Sequence, residues 1–331
     1  MGGRSSEHDI SLASAGSVIE VLRDRYDTVS VEIDREGHWA LPAAVPPALE
    51  AAEHASRSVE TLPVLADSSV AAALAGADVV FPVLHGPFGE DGTVQGLLEL
   101  AGVPYVGPGV LASALCMDKD VFKAVLRDRG VPVTSSVTLR HGDPVEHPFP
   151  YPVFVKPARL GSSVGISKVH DEAELGPALE LAFRHDEKLL IEEFVDGLEV
   201  ECGVLGNREP IASLPGQIVT HAEWYDFSAK YEEGGMELIV PPPISDESVE
   251  RVQCLAVEAF VAGECEGMAR VDFLVRGDEV LVNELNTIPG FTSTSVYAKL
   301  FAASGISYPE LLDRLIELAL ERHERQRRYA Y

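Results

Sequence analysis

Arg270-Val271-Asp272 lies in an apolar, strand-like run, and Leu281-Val282-Asn283-Glu284-Leu285-Asn286 lies in another. A turn at Gly277-Asp278 between them brings Asp272, Glu284 and Asn286 to one place. Glu284 and Asn286 are two residues apart, so their side chains leave a strand on the same face, as do those of Arg270 and Asp272. Two carboxylates and a neutral amide offer oxygen ligands only. That set suits Mg²⁺, which takes few protein ligands and completes its octahedron with water and phosphate oxygens. An arginine on the same face can meet a transferring phosphoryl group or a developing oxyanion. The chemistry these types and spacings point to is that of a magnesium–nucleotide site.

Elements must position such a site. Apolar strand-like runs alternate with helical stretches along the chain, which predicts α/β layers. Val29 to Ile33 reads as a strand, and Ala77 to Leu84 as a buried one that ends at His85-Gly86. Thr93 to Ala101 reads as a helix stopped by Gly102, and Asp118 to Arg129 as a helix stopped by Gly130. Val153 to Pro157 and Leu189 to Phe194 read as strands. Ser307 with Glu310 three residues on predicts a capping box, and the charged tail Glu321 to Arg328 is expected to fray. The proline-rich stretches at Pro42–Pro47 and His147–Pro152 read as loops.

Composition narrows the partners. The chain has 331 residues and a formal charge of −27. So acidic a chain argues against nucleic acid and anionic membranes as partners. It can bind ATP only through local lysines, arginines and metal. No apolar run reaches the length of a membrane span, and no signal peptide is visible, so a cytoplasmic location is expected. The four cysteines form no CxxC pair and no zinc spacing.

Further residues could handle phosphate and substrate. Lys156 sits on a strand that runs into Gly161-Ser162-Ser163-Val164-Gly165, where small residues let backbone N–H groups close on phosphate oxygens. The loop is neither a Walker loop nor a dinucleotide fingerprint. Lys119 opens a helix, where its charge opposes the helix dipole unless an anion is near; a surface lysine beside two aspartates is the plainer reading. Glu192 to Glu199 gives a strand edge with backbone groups for an adenine and a later carboxylate for ribose hydroxyls. Glu7 follows a glycine-rich turn and could hold an ammonium group, or simply serve as a first-turn acid. His85 ends a buried strand, where ligands bind in α/β sheets, although a structural histidine fits equally. Tyr225 to Tyr231 and the glycines after it read as a polar loop able to close over a substrate.

Together the segments GGRSSEHDISL, LHGPFGEDGT, MDK, VKPARLGSSVGISKV, EEFVDGLEVE, WYDFSAKY, ARVDF and NELNTIPGFTSTS resemble the D-alanine–D-alanine ligases of the ATP-grasp superfamily, in the family's order and over almost the whole chain. The resemblance implies an α/β fold with a Rossmann-like N-terminal domain (1–115), a central ATP-grasp subdomain (116–195) and a C-terminal one (196–331). It implies that Glu7 binds the ammonium of the first D-alanine with His85 nearby, and that Lys119 and Lys156 contact ATP phosphates. Ser162 and Ser163 belong to the loop over the phosphates. Glu192 meets the adenine, Val195 gives a backbone contact and Glu199 meets the ribose. Asp272, Glu284 and Asn286 hold two Mg²⁺ ions, for which Mn²⁺ can substitute. Arg270 and the Gly290 N–H stabilise the tetrahedral oxyanion, and Ser295 helps hold the second D-alanine. Tyr231 closes the site by a bridge with Ser162 and Glu7. A homodimer is implied. The family places an apolar strand before the Gly-Gly turn; this chain starts at Met1-Gly2-Gly3, and that strand is expected to be missing.

The implied reaction is ATP-dependent joining of two D-alanines for peptidoglycan, through an acyl phosphate. The alternatives are another carboxylate–amine ligase, a D-alanine–D-lactate ligase, and an inactive nucleotide-binding relative.

Overall fold

The computed structural model describes residues 1–41, 68–220 and 236–329. The first part carries α1 (His8–Leu22), β1 (Glu32–Ile33), β2 (Trp39–Ala40), α2 (Ser68–Gly76), α3 (Thr93–Ala101), α4 (Val110–Met117) and α5 (Lys119–Asp128). Strand pairing is sparser here than the sequence predicts. Among the described residues the run from Val29 pairs at Glu32 and Ile33, against Ala40 and Trp39, with one further bridge from Ile33 to Gly2. Among the described residues the run Ala77–Leu84 makes one parallel bridge, Val80 with Tyr105. A ladder needs a neighbouring strand, which a run's hydrophobicity does not supply. Side chains take up backbone groups instead: the Ser11 hydroxyl donates to the Val83 carbonyl and accepts from Gly2 N–H at 2.7 Å. Met1–Gly3 lies beside Ile33, with Gly2 bridged to it in parallel. The loop expected at Pro42–Pro47 lies outside the described residues.

The middle part is a four-stranded antiparallel sheet built from β3 (Ser136–Arg140), β4 (Val153–Pro157), β5 (Ser167–Val169) and β6 (Lys188–Glu193), in the order β3-β6-β4-β5, with α6 (Glu172–Phe183) between β5 and β6 in sequence. Asp171 caps α6 by accepting from Ala173 N–H at 2.9 Å and Glu174 N–H at 3.3 Å. Leu175, Ala178, Leu179 and Ala182 of α6 pack on Val153, Val155, Leu189 and Ile191. Strand alternation sends the intervening residues Lys156 and Glu192 to the other face.

The last part contains β7 (Leu198–Gly206), β8 (Ile211–Ala212), β9 (Gly216–Thr220), β10 (Met236–Ile239), α7 (Asp246–Ala262), β11 (Gly267–Arg276), β12 (Glu279–Asn286), α8 (Val296–Ala303) and α9 (Tyr308–Gln326). Its sheet runs β10-β9-β7-β11-β12, with β8 beside β7. Val252, Leu255, Ala256, Ala259 and Phe260 of α7 pack on Val200, Cys202, Val204, Val271 and Phe273, and Phe122 and Leu126 of α5 join the same core. The alternate residues of these strands, Glu199, Glu201, Arg270 and Asp272, leave the opposite face. Each sheet thus spends its apolar face on helices and keeps its charged face for a cleft.

Two expectations about the last helix are corrected. Ser307 makes no side-chain cap; the Glu310 carboxylate pairs instead with Arg314 one turn on, at 2.6 Å. Helix α9 runs on to Gln326 and does not fray at Glu321, because Arg322 is buried and donates to the carbonyls of Tyr105 (2.8 Å) and Gly107. Arg325 pairs with Glu266. Among the described residues no helix is long and apolar enough to cross a membrane.

Candidate active site

The turn at Gly277-Asp278 closes β11 onto β12 as predicted, pairing Arg276 with Glu279, and Gly277 takes φ +60°, a left-handed turn that glycine adopts without strain. Asp272 stands opposite Glu284, and Arg270 opposite Asn286. The register shifts at Asp272/Phe273, so Phe273 pairs with Val282 and Asn283 is the extra residue of a bulge. A bulge re-aims side chains. Here Asn283 and Glu284, though consecutive, both line the cleft between the sheets. Arg270 holds the Asp272 carboxylate with two hydrogen bonds of 2.7 Å, and Asn286 Nδ2 donates to it at 3.0 Å. The same guanidinium lies 2.8 Å from Glu201 on β7. The alternation Glu199-Val200-Glu201 beside the Arg-Val-Asp strand was the signal for Glu201 in the sequence, and it was missed.

The lysines converge on this carboxylate set. Lys119, first residue of α5, is buried; its Nζ donates to Leu160 O at 2.7 Å and lies 3.3 Å from Glu284. Asp118 caps that helix by accepting from Val121 N–H at 3.2 Å. Lys156 Nζ reaches Glu192 at 2.5 Å and Asn283 Oδ1 at 3.3 Å. The other oxygen of Glu192 is held by Lys123, which also donates to Thr134. Lys123 and Glu192 are each 1 % exposed. Burial alone would raise the Glu192 carboxyl, but Lys123 and Lys156 outweigh it and hold it at about 2. Burial pushes the Lys123 ammonium down to about 8, since one carboxylate shared with Lys156 cannot fully compensate two cations. The Glu192 side chain therefore grips lysines, and the adenine contact implied by the resemblance is not what occupies its carboxylate here. Lys123 was missed because its spacing reads as an ordinary helix face.

The small-residue loop holds two consecutive non-glycine residues in the left-handed region, Ser162 (φ +52°) and Ser163 (φ +58°). Such backbone costs of order 1 kcal/mol per residue and collects at ligand clamps. The Ser162 hydroxyl donates to Glu7. Glu7 is buried at the start of α1, and its N–H donates to Ser5 Oγ at 3.2 Å. His85 is buried within the same pocket; its Nδ1 lies 3.0 Å from Ile288 O, and burial lowers its pKa against the pull of Glu7. Ser295 Oγ accepts from Thr292 N–H at 2.9 Å.

A cleft of about 480 Å³ is lined by Glu7, His85, Lys119, Ser162, Arg270, Glu284, Asn286, Gly290 and Ser295. A smaller one of about 110 Å³ is lined by Lys156, Ser163, Glu192, Glu199, Asp272 and Glu284. Glu201 and Glu284 line both, so the clefts adjoin at the carboxylates. Val195 is buried and lines neither. Tyr231 lies outside the described residues.

Gly86 explains one local constraint. It has φ +73°, and a Cβ there would come within 2.7 Å of a Glu7 carboxylate oxygen. Gly86→Ala is expected to push Glu7 aside and, with Glu7 in the ammonium-binding role the resemblance implies, to raise KM for the amino-acid substrate by about tenfold, with KM for ATP unchanged. Steady-state kinetics with each substrate varied check this; an unchanged amino-acid KM contradicts it.

Two antiparallel sheets whose charged faces enclose lysines, a serine loop and paired carboxylates define an ATP-grasp fold. The family described as "D-ala D-ala ligase N-terminus" matches residues 1–108, and "D-ala D-ala ligase C-terminus" matches 125–317. A D-alanine–D-alanine ligase of Solibacter usitatus is 46% identical over 98% of this chain and 95% of its own. The solved D-alanine–D-alanine ligase of Coxiella burnetii superposes with a TM-score of 0.82 at 39% identity, covering 99% of this chain and 94% of that one. The Bacillus anthracis ligase, solved in complex with ATP, superposes with a TM-score of 0.77 at 29% identity over 98% and 97%. The chain belongs to the D-alanine–D-alanine ligase family.

Proposed function

We propose that this protein joins two D-alanines at the expense of ATP, through a D-alanyl phosphate, to supply the dipeptide for peptidoglycan. The observation that carries the reading is the junction of the two clefts at Glu284 and Glu201 beside Asp272 and Arg270. A phosphoryl group crossing from a nucleotide to an amino acid must pass such a junction.

A carboxylate is a poor acyl donor, so its oxygen first attacks the γ-phosphorus of ATP. Lys119 and Lys156 meet the phosphates, under the Ser162-Ser163 loop. Glu199 takes the ribose, and the Val195 backbone meets the adenine. Asp272, Glu284 and Asn286 fit two Mg²⁺ ions, or Mn²⁺ in their place, because the donor set is oxygen alone. Bound there, the ions neutralise charge on the transferring phosphoryl group. Glu7, fixed by Ser162, receives the ammonium of the first D-alanine beside His85. The amine of the second D-alanine, its carboxylate near Ser295, then attacks the acyl phosphate. Arg270 and the Gly290 N–H receive the oxyanion, and phosphate leaves. Tyr231 joins the Ser162–Glu7 pair when the site closes, which keeps water from the acyl phosphate. The division at 1–115, 116–195 and 196–331, a homodimeric state and a cytoplasmic location complete the proposal.

ADP release with D-alanine against D-lactate, near neutral and at higher pH, tests the reading. D-alanine is expected to be used throughout. Preferential use of D-lactate, or turnover only with another amino acid, overturns it.

A further inference from the structure

Three backbone atoms of the segment that carries Gly290 are hydrogen-bonded by side chains from the N-terminal part of the chain, and a fourth faces Glu90. The Glu90 carboxyl accepts from Gly86 N–H at 2.6 Å and faces Ile288 N–H. Ile288 O accepts from His85 Nδ1 at 3.0 Å. Phe291 N–H donates to Ser14 Oγ at 3.4 Å, and Ser293 N–H to Ser17 Oγ at 3.1 Å. Ser14 and Ser17 are three apart on α1 and so share one face of the helix that Glu7 opens. Gly290 N–H lies between the held residues and has no protein acceptor among the described residues.

The directions of these bonds form one chain. A carbonyl only accepts, so His85 Nδ1 carries the proton toward Ile288 O. In the neutral ring Nε2 is then an acceptor, and the Ser14 hydroxyl, 3.4 Å away, donates to it while accepting from Phe291 N–H. Burial favours that neutral ring. The Ser5 hydroxyl holds the His85 carbonyl at 2.6 Å, which fixes the histidine's own backbone. Glu90 is half-buried, and burial reinforced by Glu7 pushes its carboxyl up to about 8. A neutral carboxyl there keeps a carbonyl oxygen for N–H groups without adding a second negative charge beside Glu7.

Resting on the reading of Gly290 N–H as an oxyanion donor, we propose that Ser14, Ser17 and Glu90, with His85, are positioning residues. They gauge the distance between the ammonium site at Glu7 and the oxyanion donor at Gly290. Ser14 and Glu90 line the larger cleft, on the side of Glu7, and none of the three lines the smaller cleft that holds Lys156 and Glu199. Their loss therefore acts on the step in which the oxyanion forms. It leaves phosphoryl transfer from ATP to the first D-alanine largely intact.

The test compares Ser14→Ala/Ser17→Ala, Glu90→Leu and Glu90→Gln with the full-length wild-type enzyme. The double serine variant and Glu90→Leu are expected to lose on the order of tenfold to a hundredfold in kcat for dipeptide synthesis, with KM for ATP within about twofold of wild type. Scrambling of an oxygen label between the β–γ bridge and the β-nonbridge positions of ATP, which reports reversible acyl-phosphate formation, is expected to persist. Glu90→Gln keeps a carbonyl oxygen for both N–H groups and is expected to recover most of the loss. Should one variant fail to fold, the other carries the test. An unchanged kcat in a folded variant, label scrambling that falls in parallel with kcat, or a Glu90→Gln as slow as Glu90→Leu overturns the proposal. A wild-type enzyme without D-alanine-dependent phosphate release would instead overturn the functional reading beneath it.

Discussion

Glu284→Gln is expected to lower kcat by about a hundredfold to a thousandfold and to raise the Mg²⁺ concentration needed for half-maximal rate. Glu284 lines both clefts, faces Asp272 across the β11–β12 ladder and lies 3.3 Å from Lys119. The amide is nearly isosteric, so shape is kept while a negative charge is lost. That charge has two partners in the proposed mechanism, the divalent cations and Lys119. The fold depends on it little, because the side chain is 25% exposed and an ion pair so placed contributes roughly 0–1 kcal/mol. Rate and stability should therefore separate. Kinetics at graded Mg²⁺, with a denaturation curve for the same protein, check this. A rate within tenfold of wild type at saturating Mg²⁺ contradicts the placement of Glu284 at the phosphoryl group.

Lys123→Met is expected to do the reverse and to cost stability first. Lys123, Glu192 and Lys156 form a buried triad of two cations about one carboxylate. Removing one partner of a buried pair typically costs about 3–5 kcal/mol, because the remaining charge keeps its desolvation penalty. Glu192 then has Lys156 alone and draws that ammonium toward itself, so with Lys156 at the phosphates, as proposed, KM for ATP is expected to rise several-fold. Replacing both partners, as Lys123→Met/Glu192→Leu, is expected to regain part of the stability but not the ATP affinity. The pH dependence carries the same signature. The folded Glu192 pKa, about 2, lies below the ordinary 4.5 of a glutamate. Its stabilising contribution is therefore present above about pH 4.5 and lost as pH falls toward 2, and Lys123→Met should flatten that acid limb. Guanidinium midpoints across pH measure it; an unshifted midpoint for Lys123→Met contradicts the triad's role.

What the sequence revealed follows a physical divide. Asp272, Glu284, Asn286 and Arg270 were legible because strand alternation and a Gly-Asp turn fix their faces without knowledge of the rest. The Lys156 strand, its serine loop and the stops at Gly102 and Gly130 were legible for similar local reasons. Residues that act from behind were not. Lys123 supports Lys156 only through Glu192, from a helix in another part of the chain. Asn283 enters the cleft through a bulge, and a bulge is a property of paired strands. Ser14, Ser17 and Glu90 reach residues more than 190 positions away, which no local spacing reveals. The same limit accounts for the errors. Ala77–Leu84 had a strand's composition with one bridge to pair it. Glu310 had a capping box's spacing, but Arg314 took its carboxylate. The tail had a fraying composition, yet the carbonyls of Tyr105 and Gly107 anchor Arg322.

The central claim is that the two clefts exchange a phosphoryl group through a D-alanyl phosphate. It is tested most directly by supplying D-alanine labelled with heavy oxygen in its carboxylate and weighing the phosphate released with the dipeptide. One carboxylate oxygen is expected in each phosphate released. Unlabelled phosphate accompanying dipeptide formation would contradict it.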